Sequence, residues 1–311
     1  MARLQLTPYQ PEALCRTAGG LLYHCHRGTM LPPFLHPPAM EALRQSWDSG
    51  ANDILICTPQ KVGTHLAKKF VVEVLLASGL LEPSHPCANG DIGHGAIPWP
   101  EVVISQQGWA GWQRALAQSG DGPRIWYTHA PYTDLPLRAL HPQTRLLLVE
   151  REPKDALVSQ YFFYRNHPHL GADERHTLAS YGEDFLAGRT YFGDYHAHRR
   201  GWVERADGRL ASHQLLRLRY SAMVAEKAQV VRQLQAFLAP EREISSAALR
   251  RIMARTEFQA MKQALALQPG TFHFQVASFF RSGTVGDWKH HLHPELAERV
   301  DAKTHREWGE P

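Results

Sequence analysis

Cysteine is scarce in this chain of 311 residues. The four cysteines are Cys15, Cys25, Cys57 and Cys87. No two of them have C-x-x-C spacing, which argues against a zinc ribbon and against a disulfide scaffold. Cys57 lies in an apolar run, and we interpret it as a small core residue.

Long hydrophobic runs are also missing. The longest, Phe70 to Leu81, covers only about two-thirds of a membrane span and contains Glu73. The first residues, MARLQLTPYQPEALC, lack the apolar centre of a signal peptide. We therefore expect a soluble, cytoplasmic protein with no membrane partner.

A strong charge of one sign is absent as well. The formal net charge is +4, and the sequence contains no basic run. This balance does not indicate nucleic acid as a partner, although it suits a small anionic ligand.

The composition that is present is that of an ordinary globular protein, 43% hydrophobic and 21% charged. Strand patterns alternate with helix patterns, which predicts an α/β protein, a three-layer α/β/α fold around a central parallel sheet. The predicted strands are 53–57, 124–129, 144–151 and 214–220. The predicted helices are 64–79, 153–165, 226–238 and two segments near 246–265.

No repeat or linker divides the chain, so we predict a single domain over residues 1–311 with a catalytic core at 53–292. Residues 1–50 are rich in Pro, His and Gly and are predicted to be an irregular lead-in with one short helix near 39–47. Residues 82–108 are predicted to form a loop.

The first candidate site is DILICTPQKVGTHL, residues 53–66, a strand followed by a tight turn and the start of a helix. Free N–H groups at a helix start bind anions, and Gly63 lets the backbone approach a ligand. Lys61 adds a full charge, while Thr64 and His65 can donate hydrogen bonds. The stretch lacks the G-x-x-x-x-G-K-[ST] pattern of nucleotide triphosphatases. The alternative is a plain turn with a surface lysine.

Three more segments carry weaker signals. His129, in YTHAP, follows a strand end, where open α/β sheets bind ligands, and an imidazole there can accept a proton. Arg151, with Ser159 two turns into the next helix, can hold a phosphate. Arg281 precedes a glycine-rich turn in FFRSGTVGDWK. The alternatives are a structural histidine, an ion pair of Arg151 with Asp155 or Glu152, and a surface turn.

Taken in order, these segments resemble the cytosolic sulfotransferases that use 3′-phosphoadenosine 5′-phosphosulfate (PAPS). Their motifs read approximately T-Y-P-K-S-G-T-T-W, K-T-H-x-P, R-N-P-K-D-x-x-x-S, L-x-Y-E-D-M, T-S-F-x-x-M-K and R-K-G-x-x-G-D-W-K. The matching segments are TPQKVGTHL (58–66), YTHAP (127–131), REPKDALVS (151–159), LRYSAM (218–223), TEFQAMK (256–262) and RSGTVGDWK (281–289).

The resemblance implies a P-loop-like sulfotransferase fold, PAPS as sulfuryl donor and PAP as product, with no metal required. It implies that His129 is the general base and that Lys61 stabilises the leaving group. The residues implied to surround the donor are Lys61, Gly63, Thr64, His65, Leu66, Arg151, Ser159, Tyr220, Thr256, Phe258, Arg281, Ser282 and Gly283. His198 and Phe162 are assigned to the acceptor pocket.

The sequence departs from the motifs at several positions, of which five are of particular interest. Val62 and His65 stand in place of a serine and a threonine, and Leu66 in place of a tryptophan. Tyr127 and Ser282 each stand in place of a lysine. We therefore expect looser donor binding than in close relatives.

The family's dimer motif, K-x-x-x-T-V-x-x-x-E, falls at Lys289 to Glu298, where His293 and Pro294 replace its Thr-Val pair. A homodimer by this route is therefore doubtful. The groups of histidines at 24–26 and 290–293 come without spaced carboxylates or cysteines, so we do not interpret them as metal ligands.

The acceptor and the activity leave alternatives open. Aromatic residues in 82–108, 160–200 and 268–280 favour a small apolar or aromatic alcohol, although many of them could be core residues. They are Trp99, Trp109, Tyr161, Phe162, Phe163, Tyr191, Phe192, Phe272 and Phe274. A non-catalytic member that binds a nucleotide or a small ligand is one alternative, and a kinase-like phosphotransferase is another.

Overall fold

The computed structural model of the chain describes residues 14–46, 49–89, 97–118, 122–135, 140–209, 214–267, 276 and 279–309. The strands are β1 (Cys15–Arg16), β2 (Leu22–His26), β3 (Thr29–Leu31), β4 (Asp53–Cys57), β5 (Arg124–Thr128), β6 (Arg145–Glu150) and β7 (Leu215–Arg219). The helices of the first half are α1 (Pro37–Ser46), α2 (Thr64–Ala77), α3 (Pro100–Ala117), α4 (Pro153–Asn166) and α5 (Leu178–Leu186). Those that follow are α6 (Tyr195–Arg209), α7 (Tyr220–Ala225), α8 (Lys227–Leu238), α9 (Ser246–Arg255), α10 (Phe258–Ala266) and α11 (Pro294–Trp308).

The central sheet has four parallel strands in the order β5-β4-β6-β7. Every residue of β4 is buried, as are the four interior residues of β6. A strand covered on both faces must be apolar throughout, which is why these runs do not alternate. The predicted three-layer α/β/α fold with a parallel sheet is confirmed.

The helices pack around this sheet in groups. Helix α2 packs against α8 and α9, while α11 packs against α4, α5 and α6. Large buried side chains such as Trp126, Trp202 and Tyr164 fill the space between the layers. Within the described residues, no helix combines the length and the apolar character needed to cross a membrane.

The structure differs from the sequence-based prediction in several places. Helices α5, α6 and α11 were not predicted, and Tyr220, the predicted end of a strand, begins α7. Part of the predicted irregular lead-in forms a small antiparallel sheet, β1-β2-β3. The predicted loop 82–108 contains the start of α3, which begins at Pro100. Gly108, with φ 67 and ψ −177, interrupts α3, and this break hides the helical periodicity of the segment.

Candidate active site

The carboxyl ends of the four parallel strands lie at one edge of the sheet, and a chemically useful segment follows each of them. The loop of Lys61 and Gly63 follows β4, His129 follows β5, Arg151 follows β6 and Tyr220 follows β7. Open α/β sheets bind ligands outside this edge. The topology thus brings together motifs that are far apart in the sequence.

These segments line one cavity of about 250 Å³. Its walls include both predicted catalytic residues and every residue predicted to hold the donor. They are Lys61, Gly63, Thr64, His65, Leu66, His129, Arg151, Ser159, Tyr220, Thr256, Phe258, Arg281, Ser282 and Gly283.

The turn before α2 holds Lys61 in a left-handed conformation, with φ 66. The Lys61 carbonyl accepts a hydrogen bond of 2.9 Å from Arg151 Nη1. Its ammonium lies 4.3 Å from the centre of the Phe163 ring and 5.1 Å from that of Phe279. Burial, together with the nearby charges of Arg151 and Arg281, lowers the pKa of Lys61 to about 7. An anion in the cavity would reverse part of that shift.

Two glycines allow the backbone to approach this cavity closely. Gly63 precedes α2 with φ 109, and a Cβ there would lie 2.6 Å from the Tyr220 ring. Gly283 has φ 73, and a Cβ there would lie 2.1 Å from the Phe258 ring. After Gly63, the first N–H groups of α2 have no partner within the helix and carry partial positive charge.

Arg151 lines the cavity beside Lys61 and Tyr220. Its guanidinium stacks 4.3 Å above the Tyr220 ring, and its buried Nε has no hydrogen-bond partner among the described residues. A buried donor without a partner is costly, and an anionic oxygen would satisfy it. Neither alternative ion pair of Arg151 is seen among the described residues. Asp155 instead accepts hydrogen bonds from Gly286 N and Trp288 N, and Glu152 pairs with Lys154 at 3.5 Å.

The segment RSGTVGDWK (281–289) contributes the outer wall of the cavity. Arg281 pairs with Asp287, and its guanidinium lies 4.7 Å from the centre of the Phe162 ring. Asp155, which is 1% exposed, ties the Gly286 turn to the first turn of α4. This carboxylate therefore holds the glycine-rich turn beside Ser159 and Arg151.

His129 is 8% exposed and is held in one tautomer. Its Nδ1 lies 2.8 Å from the Thr58 carbonyl, which can only accept, so Nδ1 carries the proton and Nε2 keeps its lone pair. The ring packs against Trp99 and Tyr127, with centroid distances of 4.9 Å and 5.6 Å. Burial lowers the pKa of His129 to about 3, and the charges of nearby groups contribute. The ring is thus a neutral proton acceptor throughout the neutral pH range.

A family profile described as "Sulfotransferase domain" matches residues 51–310. The chain belongs to the sulfotransferase family. It is 30% identical to human Sulfotransferase 1C2 over 262 residues, which is 83% of each chain. It is 26% identical to the 3-alpha-hydroxysteroid sulfotransferase of Cavia porcellus, over 85% of this chain and 86% of that protein.

Solved sulfotransferase structures share the fold. A mouse sulfotransferase complexed with PAP superimposes with a TM-score of 0.73, at 22% identity, over 92% of this chain and 94% of that one. Retinol dehydratase in complex with androsterone and inactive cofactor PAP gives a TM-score of 0.67 at 16% identity, over 91% of this chain and 87% of that one.

Two residues that sequence reasoning assigned to the acceptor pocket of this sulfotransferase do not line the cavity. His198 lies behind it, and its Nε2 donates to the His129 carbonyl at 3.0 Å. The Phe162 ring lies under the Arg281 guanidinium and 5.1 Å from the His291 ring. His198 therefore supports the His129 backbone, and Phe162 supports the outer wall.

The predicted aromatic lining is only partly found on the cavity wall. Trp99 and Phe163 line it, whereas Phe272 and Phe274 lie outside the described residues. The aromatic residues placed elsewhere are Trp109, Tyr161, Tyr191 and Phe192. Sequence reasoning missed several lining residues, namely Phe34, Val102, His167, Leu170 and Phe279.

Glu101 is a second omission. Its side chain is fully buried and accepts hydrogen bonds from Thr128 Oγ1 and, at 3.3 Å, from Ala130 N. These donors flank His129 on both sides. Burial raises the pKa of Glu101 to about 7, although its hydrogen bonds oppose that shift. The one sequence signal for Glu101 is a carboxylate directly after Trp-Pro, and it lies in the segment 82–108 that the sequence predicts to be a loop.

Two of the residues that depart from the family motifs, His65 and Leu66, pack against apolar side chains of the cavity wall. The His65 ring lies 4.6 Å from the Phe279 ring. Leu66 packs against the cluster of Met261, Leu265 and Phe280. Both side chains thus belong to the apolar part of the wall.

Proposed function

We propose that this sulfotransferase moves a sulfuryl group from PAPS to a hydroxyl or amine of a small apolar or aromatic acceptor. The observation that carries the proposal is that one cavity joins a basic cradle to a neutral imidazole whose Nε2 lone pair is free to accept a proton. The relatives' names support the class of reaction, and the PAP in the mouse relative's structure supports the donor.

The donor's two anionic ends match two sets of residues. Lys61 and the start of α2 would hold the 5′-phosphosulfate. Arg151, Ser159, Arg281 and the backbone at Gly283 would hold the 3′-phosphate. The unsatisfied Arg151 Nε and the close backbone approach at the two glycines support this fit.

The aromatic part of the cavity would hold the adenine and the acceptor. Phe258 offers a ring face beside Gly283, and Tyr220 and Thr256 lie next to it. Phe34, Trp99 and Phe163 line an apolar region close to His129. Such a region favours a phenol or another apolar alcohol over a sugar polymer.

His129 Nε2 takes the proton of the acceptor hydroxyl while the acceptor oxygen forms a bond to sulfur. The bond from sulfur to the bridging oxygen of the phosphosulfate breaks, and PAP leaves with that electron pair. Lys61 and the N–H groups of α2 stabilise the negative charge that builds on the bridging oxygen. The proton then passes from the imidazolium to solvent, so that the atoms and charges balance.

The charge of the donor tunes both groups. Lys61 has a pKa of about 7, and a neighbouring anion raises it, so that the amine becomes fully charged when the donor is bound. The same anion raises the low pKa of His129 and makes the imidazole a stronger base. Donor binding thus prepares both groups for the transfer step.

Thermal-shift measurements followed by labelled transfer test the proposal. We expect PAP to raise the melting temperature without magnesium, and ³⁵S-labelled PAPS to label phenols such as 4-nitrophenol and 2-naphthol. PAP binding without transfer to any member of an alcohol, phenol and amine panel would favour the non-catalytic alternative. Stabilisation by ATP with magnesium instead of PAP would favour a kinase-like enzyme.

The cytoplasmic location and the oligomeric state stay predictions. The segment from Lys289 to Glu298, which corresponds to the family's dimer motif, runs into the first turn of α11, with Pro294 as its first residue.

A further inference from the structure

Lys68 is a buried lysine that the proposed reaction does not yet use. It lies on α2, one turn after Thr64, and is 0% exposed. Its Nζ lies 4.4 Å from the centre of the Tyr127 ring. Removing an ammonium from water is unfavourable, so a fully buried one is a functional candidate.

Tyr127 connects this lysine to the cavity. Tyr127 lines the cavity, and its ring centre lies 5.6 Å from that of His129. Position 127 is also where the family's K-T-H-x-P motif has a lysine, whereas this chain has Tyr-Thr-His-Ala-Pro. Strand β5 therefore lacks the lysine that the motif has at position 127, while Lys68 on helix α2 places an ammonium against the residue at that position.

We propose that Lys68 supplies from helix α2 the positive charge that the family motif carries at position 127, and that it acts across the Tyr127 ring on the transferred group. The inference rests on the proposed sulfuryl transfer. Lys68 does not line the cavity, so it is a positioning and electrostatic residue that acts through Tyr127. The electron-rich face of the Tyr127 ring attracts the Lys68 cation and holds it directly behind the cavity wall.

Charged and titratable groups surround His129 from several elements. Lys61 and Lys68 approach from α2 and the turn before it, Glu101 from α3 and His198 from α6. The charge of Lys68 contributes to the lowered pKa of His129. Removing that charge should move the pKa of His129 back toward its ordinary value.

The first test compares Lys68→Met with Lys69→Met. Both lysines are buried on α2, but Lys69 forms an ion pair of 2.9 Å with Glu73, away from the cavity. We expect Lys68→Met to lower kcat about 10- to 100-fold with PAPS and 4-nitrophenol, and to change KM by less than about threefold. Lys69→Met should keep the wild-type kcat.

Melting temperature separates this role from a structural one. Methionine has nearly the length and volume of lysine, so Lys68→Met removes the ammonium with little change in packing. The acid limb of its kcat/KM profile should move to higher pH, because a larger fraction of His129 would then be protonated at low pH. A cation that serves only to stabilise the fold would give a lower melting temperature and an unmoved profile.

The charge-swap variant completes the test. Lys68→Met combined with Tyr127→Lys should recover kcat to within about fivefold of wild type. A folded double variant that stays at the level of Lys68→Met would overturn the proposal. So would a Lys68→Met variant with wild-type kcat, or an equal fall in Lys69→Met. A wild-type protein that transfers sulfate to no acceptor would instead refute the proposed function itself.

Discussion

The two ends of the cavity are built differently. At the donor end, Lys61, Arg151 and Arg281 surround two glycines in left-handed conformations. At the other end, His129 lies among aromatic rings, and its Nδ1–H donates a hydrogen bond to the Thr58 carbonyl that fixes the orientation of the ring. Charge and backbone shape define the first region, whereas burial and packing define the second.

The comparison teaches how this active site divides its work. In the proposed reaction the donor end binds a ligand with two anionic groups, and it therefore needs cations and unpaired helix N–H groups. The imidazole end must keep one tautomer, which the hydrogen bond to the Thr58 carbonyl fixes, and it must exclude water, which a closely packed apolar wall does. Substitutions at the two ends should consequently change different properties of the enzyme, namely proton transfer at the imidazole end and stabilisation of the leaving group at the donor end.

The largest expected effect is at the imidazole. His129→Ala should lower turnover by at least about 10³-fold, because the proton acceptor is lost. The affinity for PAP, measured by calorimetry, should stay within about twofold of wild type. Loss of PAP binding in this variant would place His129 in the donor site rather than at the proton.

A smaller loss is expected at the donor end. Lys61→Ala should lower kcat about 10²- to 10³-fold, because the charge that builds on the leaving oxygen loses its main partner. Single-turnover rates with labelled PAPS give this value directly. An unchanged rate would remove Lys61 from the transfer step.

Removing Glu101, which holds the residues on either side of His129, should lower kcat less than removing His129 itself. Glu101→Leu removes the acceptor shared by Thr128 and Ala130, and should lower kcat about tenfold. Glu101→Gln keeps an amide oxygen in the same place and should retain most of the activity. A Leu variant as active as wild type would show that the loop keeps its position without this carboxylate.

The pH dependence of stability tests the packed region as a whole. Burial lowers the pKa of His129 to about 3 and those of His167, His196 and His198 to about 4, from 6.5. The unfolded chain binds more protons below pH 6.5, so stability is complete above that pH and is lost progressively as the pH falls toward 4.

Each of these histidines should cost roughly 2 kcal/mol of folding free energy at pH 5. We expect the melting temperature to fall by about 10 °C or more between pH 7.5 and pH 5.0. His198→Phe should show a shallower fall than wild type. Equal melting temperatures at the two pH values would mean that the rings are protonated in the folded protein.

The sequence-based prediction worked best where local chemistry and structure coincide. Buried parallel strands such as β4 and β6 are continuous apolar runs, and the anion-binding turns contain Gly, Lys and Arg at characteristic spacings. All the residues that the resemblance to the sulfotransferases implies for the donor site line one cavity. Their roles in binding and catalysis stay predictions.

The rest of the site could not be predicted because packing alone defines it. Phe34, Val102 and His167 come from three separate segments, and none of them stands in a motif. Helix α6 has no clear apolar stripe in YHAHRRGWVERADGR, so its periodicity did not show that His198 packs behind His129 and not in the acceptor pocket. The hydrogen bond that places His198 behind His129 depends on the final arrangement of α6.

The hydrogen bond from Arg151 to the Lys61 carbonyl has a consequence for donor selection. In the proposed donor complex, an Arg151 guanidinium bound to the 3′-phosphate would also fix the backbone that presents Lys61, so the two anion-binding groups would be coupled through one hydrogen bond. Adenosine 5′-phosphosulfate lacks the 3′-phosphate and could not use this coupling. We therefore expect the enzyme to bind it more weakly and also to transfer its sulfuryl group more slowly.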